Sequence, residues 1–275
     1  MKYLTIGAIV KNEAPYIEEW IEFHLLQGVE HFYICDNGST DGTYEILEKY
    51  DGLGLITLFP LGTPAFQMKY YDHVVQSYRS RSKWIAFIDA DEFLFHTQGS
   101  LSDALKEYEE YPGVAARWYL FGDRCNMVKE PLVTRKFQHR AAHPDQHVKS
   151  IVQPSRVKSV GKNPHVFYCD APVVDENKKS LPKEYAVMPG RTADLFRINH
   201  YHVKTLEEYM LRKAAAPRAD ISVTLSNKQI LEQFEAHNKN DVEDKLAMAR
   251  FSHIVEHNIE VRINARNSID NADWR

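Results

Sequence analysis

Apolar and polar positions alternate in blocks over the first hundred residues of the chain. The run YLTIGAIV (3–10) is continuously apolar, as in a strand covered on both faces, whereas APYIEEWIEFHLLQG (14–28) repeats its apolar positions at helical spacing. HFYICDNGS (31–39) predicts a second strand and TDGTYEILEKY (40–50) a second helix. LGLITLFPL (53–61), FQMKYYDHVVQSYRSRS (66–82) and KWIAFIDADEF (83–93) continue the series as strand, helix and strand. Pro15 sits near the first turn of the first helix and Gly28 just past its end, where each residue is best tolerated. This rhythm predicts an α/β layer with a mixed, mainly parallel sheet of Rossmann type.

Beyond Leu101 the rhythm changes. LSDALKEYEEY (101–111) predicts one short helix, followed by shorter strand-like pieces rich in His, Pro and basic residues. DAPVVDENKKSLPKEYAVMPGR (170–191) is polar and punctuated by proline, and predicts an exposed excursion or lid. FRINHYHVK (196–204) is extended, after which the chain turns helical, with Thr205 capping LEEYMLRKAAA and Ser226 capping NKQILEQFEAH. The expected organisation is one domain over 1–215 and a C-terminal helical extension over 216–275.

Composition narrows the function classes. The chain has 275 residues, 44% hydrophobic and 26% charged, with a formal net charge of -4 and a pI near 6.4. That balance gives no global basic surface for nucleic acid or for an anionic membrane. Cys35, Cys125 and Cys169 are scattered and odd in number, which predicts unpaired packing residues in a reducing compartment. No apolar run approaches the roughly 20 residues that span a bilayer, so the expected location is cytoplasmic, with room for peripheral membrane association.

Open α/β sheets bind ligands at the carboxyl ends of their strands, so the polar residues after each apolar run carry most weight. These are Lys11, Asn12 and Glu13, then Asp36, Asn37 and Ser39, then Asp89, Asp91 and Glu92. In WIAFIDADEF, Asp89 and Asp91 stand at i and i+2, which on an extended backbone puts both carboxylates on one side. Two such acids repel unless a cation lies between them, and a hard divalent ion such as Mg²⁺ or Mn²⁺ suits oxygen ligands. Acids that merely end a strand in solvent are the plain alternative. In DNGSTDGT a turn and a helix cap account for every residue except Asp36, whose carboxylate is placed to accept hydrogen bonds from a nucleoside. Capping explains Asn12 and Glu13 equally well, while Lys11 offers a charge for phosphate. His200 and His202 in NHYHV share a face of an extended segment.

Taken together, IVKNEAPYIEEWIEFHLLQGVEHFYICDNGSTDGT, WIAFIDADEFL, RWYLFG, HVKSIVQP and NHYHVKTLEEYMLRKA resemble glycosyltransferase family 92 and its bacterial relatives of the GT-A fold. The resemblance covers roughly residues 3 to 215. It implies a nucleotide-diphosphate-sugar donor, a UDP-sugar first among them, and a glycan or lipid-linked glycan as acceptor, as in polysaccharide biosynthesis. It also implies Mn²⁺ or Mg²⁺ held by the D-x-D acids Asp89 and Asp91, with His200 completing the metal site. Asp36 then meets the nucleoside, and the backbone from Ile9 to Glu13 lines the base pocket, so that Lys11, Asn12, Glu13, Asp36 and Asp89 form the donor site.

If transfer inverts the anomeric centre, a base must take the acceptor's proton. The stretch FGDRCNMVKEPLVTRKFQHR lacks the acidic pair common in this fold, leaving Asp123 in FGDR and Asp145 in HPDQH as the candidates. Lys149 and Arg135 are candidates for contact with the diphosphate. Two other classes compete. A haloacid-dehalogenase-like phosphohydrolase also begins with an apolar strand and D-x-D, and a non-catalytic nucleotide-sugar or carbohydrate-binding protein needs no base at all.

Overall fold

The computed structural model describes residues 1–60, 67–124, 130–188, 193–215 and 225–270. The N-terminal part runs β1 (Lys2–Val10), α1 (Ile17–Leu26), β2 (His31–Asp36), α2 (Thr43–Gly52), β3 (Ile56–Pro60), α3 (Gln67–Tyr78) and β4 (Ser82–Phe87). Then follow β5 (Glu92–His96), α4 (Leu101–Leu105), β6 (Gly113–Gly122), α5 (Val133–Lys136), β7 (His139–Arg140), β8 (Val148–Val152), β9 (Val157–Val160) and β10 (Phe167–Cys169). The C-terminal part holds β11 (Phe196–His200), α6 (Leu206–Ala215), α7 (Asn227–His237), β12 (Val242–Glu243) and α8 (Leu246–Asp270).

Ten strands form one mixed sheet whose main path is β12-β7-β6-β8-β4-β1-β2-β3, with β11 joining β6 to β5. Pairing is parallel through β4, β1, β2 and β3, as expected from the alternation of strands and helices. Both faces of this block are covered, which is why its strands read as unbroken apolar runs. Leu4, Ile6, Ala8 and Val10 of β1 join Trp84 and Ala86 of β4 against Trp20, Ile21 and Phe23 of α1. The alternate positions, Ile9, Tyr33, Cys35, Ile85 and Phe87, pack on Tyr70, Tyr71, Val74 and Val75 of α3. On that second face Gly7 leaves room for the Phe87 ring, which a Cβ would meet at 2.7 Å.

The remaining strands are largely antiparallel. β8 runs against β4 with Ala86 opposite Ile151, and against β6 with Arg117 opposite Val148. β11 runs parallel to β6 and antiparallel to β5, placing His200 opposite both Leu120 and Glu92. Of the C-terminal helices, α8 lies on the same core, whereas α6 and α7 pack together around Tyr209, Ile230 and Phe234. Ala247, Phe251 and Val255 of α8 are buried with Phe23 of α1, and Arg262 and Arg135 form ion pairs with Glu22 and Glu256. Thr205 and Ser226 each exchange hydrogen bonds with the residue three positions on, Glu208 and Gln229, forming the expected caps.

Two expectations are corrected. WIAFIDADEF is not one strand: β4 ends at Phe87, β5 begins at Glu92, and a turn between them is closed by the Glu92 N–H donating to the Asp89 carbonyl at 3.0 Å. Segment 170–191 is not a free excursion over its described part. Val173, Val174, Tyr185 and Met188 are buried, and the Glu176 carboxylate accepts the backbone N–H groups of Asp194, Leu195 and Phe196. Apolar residues spaced among its polar ones supply the anchor. Cys35 and Cys169 are unpaired thiols, and Cys125 lies outside the described residues.

Candidate active site

The turn between β4 and β5 is fixed from below before it is used. The Trp20 indole N–H of α1 donates to the Glu92 carbonyl at 2.8 Å, and the Asp89 N–H donates to the Glu92 carboxylate at 2.9 Å. Because the backbone turns here, Asp89 and Asp91 face different partners instead of standing side by side.

Asp89 belongs to a charge-balanced cluster. Continuing the β4–β8 register past Ala86 and Ile151 brings Lys149 alongside the end of β4, and its Nζ donates to Asp89 Oδ2 at 2.7 Å. Lys149 also stands 3.5 Å from Glu92 Oε2, and Gln67 Nε2 donates to the other Asp89 oxygen at 3.3 Å. Lys149 is 1% exposed and Glu92 0%. Burial alone would discharge Lys149, but Asp89 and Glu92 more than offset it and raise its pKa. Burial, with Asp89 and Asp91 adding to it, pushes the Glu92 carboxyl well above the usual carboxylate range despite Lys149.

Asp91 belongs to a different cluster. The β11–β5 register sets His200 beside it, with Nε2 3.4 Å from Asp91 Oδ1, and His202 follows on the same face with Nδ1 3.7 Å from Oδ2. The two imidazoles lie 5.1 Å apart, and one ligand atom from each of Asp91, His200 and His202 falls within 4.8 Å of the others. Arg212 of α6 closes the group, donating to Asp91 Oδ2 at 2.9 Å and also to the His202 carbonyl. Burial raises the Asp91 pKa, but His200, His202 and Arg212 outweigh it and hold the carboxyl well below its ordinary range. Burial, then Arg212 and His200, hold His202 well below the ordinary imidazole pKa, so it carries a lone pair at neutral pH. His200 Nδ1 is buried without a hydrogen-bond partner among the described residues.

One carboxylate and two imidazoles that converge in this way are the donor set of a divalent first-row metal. The residues therefore fit such an ion, with Asp91, His200 and His202 to hold it. Asp89 is outside this group. His202 was visible in the sequence only as a partner of His200, and Arg212 and Lys149 carried no local signal of their places.

The nucleotide-side residues gather at the ends of β1 and β2. Asp36 Oδ2 accepts the N–H groups of Gly38 and Ser39 at 3.1 Å, while Oδ1 is buried with no partner in the described structure. Asn12 is not a helix cap: at φ 56° it accepts the Thr40 N–H and donates its own N–H to Ser39, locking the two loops together. Asn is one of the few residues that adopts this left-handed conformation readily. Glu13 is buried and paired with Lys204 at 2.7 Å, so the loop after β1 is tied to the segment after His202. Lys11 is exposed.

Of the two acceptor-side acids, Asp123 exchanges hydrogen bonds with Asn238 beyond α7, its N–H donating to the Asn238 Oδ1 and its carboxylate accepting from Nδ2. Asp145 lies closer to the metal-ligand group. Its N–H donates to the Trp118 carbonyl, and the Trp118 ring packs on His200 at 4.4 Å. The His147 hydrogen bond, with His200 adding a smaller contribution, holds the Asp145 carboxyl below its ordinary range against burial. Arg135 is engaged with Glu256 of α8 at 2.6 Å and takes no part in these groups.

Comparison with known proteins places this geometry in a family. A model described as glycosyltransferase family 92 matches residues 8–247. A family 92 protein of Oryza sativa subsp. japonica is 32% identical over 158 residues, 55% of this chain and 27% of its own length. One from Ricinus communis is 26% identical over 213 residues, 72% of this chain and 34% of its own. The Arabidopsis thaliana galactan beta-1,4-galactosyltransferase GALS2 is 30% identical over 122 residues, 40% of this chain and 24% of its own. This chain thus spans about a quarter to a third of the length of the curated relatives it matches. Among solved structures, S. aureus TarS 1-349 in complex with UDP-GlcNAc is similar at a TM-score of 0.44 and 14% identity, covering 89% of this chain and 69% of that one. With the family model matching from the end of β1 into α8, across every residue of both acidic clusters, the chain belongs to glycosyltransferase family 92.

Proposed function

We propose that this chain is a metal-dependent glycosyltransferase that moves a sugar from a nucleotide-diphosphate donor, a UDP-sugar, to a hydroxyl of a glycan or lipid-linked glycan with inversion at the anomeric carbon. The observation that carries this reading is the convergence of Asp91, His200 and His202 at the carboxyl edge of the sheet. The bound ion, Mn²⁺ in preference to Mg²⁺ because two of its three protein donors are imidazole nitrogens, would stabilise the charge that develops on the leaving diphosphate.

The protein's own groups divide the rest of the work. The nucleoside lies against the interlocked loops after β1 and β2, where the unpartnered Asp36 oxygen accepts a hydrogen bond from base or ribose. Lys11 and the backbone of Asn12 and Glu13 line the same pocket. Arg212, which lies on Asp91, is placed to contact the diphosphate beside the metal. Asp89 sits at the junction of the diphosphate and the sugar, held by Lys149. On the acceptor side stand Asp145 and, further away, Asp123.

Two of the similar proteins are named galactan beta-1,4-galactosyltransferases, which makes UDP-galactose the first donor to try. The test is thermal stabilisation by a panel of nucleotide sugars with and without Mn²⁺, followed by product analysis for those that bind. A UDP-sugar that raises the melting temperature by several degrees only when Mn²⁺ is present is the expected result. No Mn²⁺-dependent shift with any nucleoside diphosphate or sugar nucleotide would overturn the reading.

A further inference from the structure

A second polar constellation lies one indole away from the metal-ligand group. His147, in the loop before β8, has Nδ1 2.6 Å from Asp145 Oδ1, and its backbone N–H donates to the same oxygen at 2.9 Å. The ring stacks on Trp118 at 5.1 Å with an interplanar angle of 23°, and the same indole also contacts His200 at 4.4 Å. The His147 side chain is about half exposed (48%), and among the described residues its Nε2 has no hydrogen-bond partner. Contact with Asp145 fixes the tautomer: Nδ1 carries the proton and Nε2 presents its lone pair outward.

This is an oriented imidazole, clamped by a carboxylate on one side and an aromatic plane on the other. In an inverting transfer the acceptor attacks the anomeric carbon from the face opposite the diphosphate, so the base must stand off from the metal by about the thickness of one sugar. Trp118 supplies that offset. Asp145 has its Oδ1 committed to His147 and is partly buried, so the group it presents to an acceptor is the imidazole.

We propose that His147 is the catalytic base of this enzyme and that Asp145 is its positioning residue. The acceptor hydroxyl gives its proton to His147 Nε2 as its oxygen bonds to the anomeric carbon, and the bond from that carbon to the diphosphate oxygen breaks with its electron pair leaving on the nucleoside diphosphate. The imidazolium formed is stabilised by Asp145 and later returns its proton to water. This assignment rests on the glycosyltransferase reading above.

His147→Gln keeps a polar side chain of similar reach without a basic nitrogen. With UDP-galactose, Mn²⁺ and β-1,4-linked galactan oligosaccharides, or water as the slow acceptor, it should lower kcat by about 10² to 10³-fold. Donor KM and the Mn²⁺-dependent affinity for UDP should stay within twofold of the wild type. Asp145→Asn should lower kcat at least about tenfold, because an amide facing Nδ1 disfavours the productive tautomer. An acid limb in the kcat–pH profile that is present in the wild type and absent in His147→Gln is the expected signature of the base, with Asp145, His165 and His200 as the other titratable groups nearby. A His147→Gln kcat within threefold of wild type overturns the proposal, as does a wild type that binds UDP with Mn²⁺ yet turns over no donor. A wild type that fails to bind UDP with Mn²⁺ instead overturns the donor reading itself.

Discussion

Two acidic residues separated by one alanine meet different fates in this molecule. On one side of the turn, Asp89 shares a buried lysine with Glu92, and protein charges balance protein charges. On the other, Asp91 faces two imidazoles and a guanidinium, and the three ligand atoms of the acid and the imidazoles converge on a common point. Each cluster keeps one buried polar atom without a partner, Glu92 Oε1 in the first and His200 Nδ1 in the second, but only the second brings a carboxylate and two imidazoles together. The lesson is that a D-x-D motif specifies where acids stand. The strands that come back to meet them decide what each acid does.

The sharpest way to break this comparison is to neutralise each acid separately. Asp91→Asn should weaken Mn²⁺ binding, measured calorimetrically without nucleotide, by more than about 100-fold, since loss of even an indirect partner of a metal ligand costs 10- to 100-fold. Asp89→Asn should leave that affinity within about threefold and act on UDP affinity instead. Equal losses in the two variants would merge the clusters and refute the division.

Next in size is an effect on stability. Lys149→Met leaves Asp89 and Glu92 without their cation, and because the Asp89 carboxylate is 38% exposed the cost should be below the about 3–5 kcal/mol of breaking a fully buried ion pair. The denaturant midpoint of the metal-free protein should fall accordingly. A shift under about 1 kcal/mol would mean that Glu92 is already neutral enough to need no partner.

The smallest effect concerns a histidine that is a useful contrast to His200. His24 of α1 uses both ring nitrogens: Nδ1 donates to the Trp20 carbonyl at 2.7 Å, and Nε2 accepts the Leu94 N–H of β5 at 3.0 Å. Burial lowers its pKa to about 3. A folded pKa below the unfolded value means that stability is full above about 6.5 and is lost as pH falls towards 3. His24 should contribute a slope of up to about 1.4 kcal/mol per pH unit within that window. His24→Gln should flatten the fall in urea midpoint between pH 6 and pH 4.5 relative to wild type, and identical slopes would show that His24 protonates without cost.

Much of the parallel half was legible because its signals are local. Apolar runs at β1, β2 and β4, the helical spacing of α1 and α3, and the caps Thr205 and Ser226 all follow from residues within a few positions of one another. The shared face of His200 and His202 was legible for the same reason. The turn at 88–91 was not, because Ile88 and the acids continue an apolar strand pattern that only the Trp20 and Glu92 hydrogen bonds interrupt. Lys149 stood out in the sequence only as a basic residue that could contact the diphosphate. Nothing near it in sequence shows that an antiparallel strand will carry it to Asp89.

By itself, then, the sequence determined the strand and helix periodicity, the carboxyl edge where acids collect, and the candidate donor-site residues Asp36, Asp89 and Asp91. Only the tertiary structure decided that His202 joins Asp91 and His200 while Asp89 stays outside, that Lys149 answers Asp89, and that Asp145 turns towards His147. The physical reason is distance along the chain. Local propensity and spacing act over one or two turns, whereas these partners meet through strand registers and buried charge pairing, which exist only once the sheet has closed.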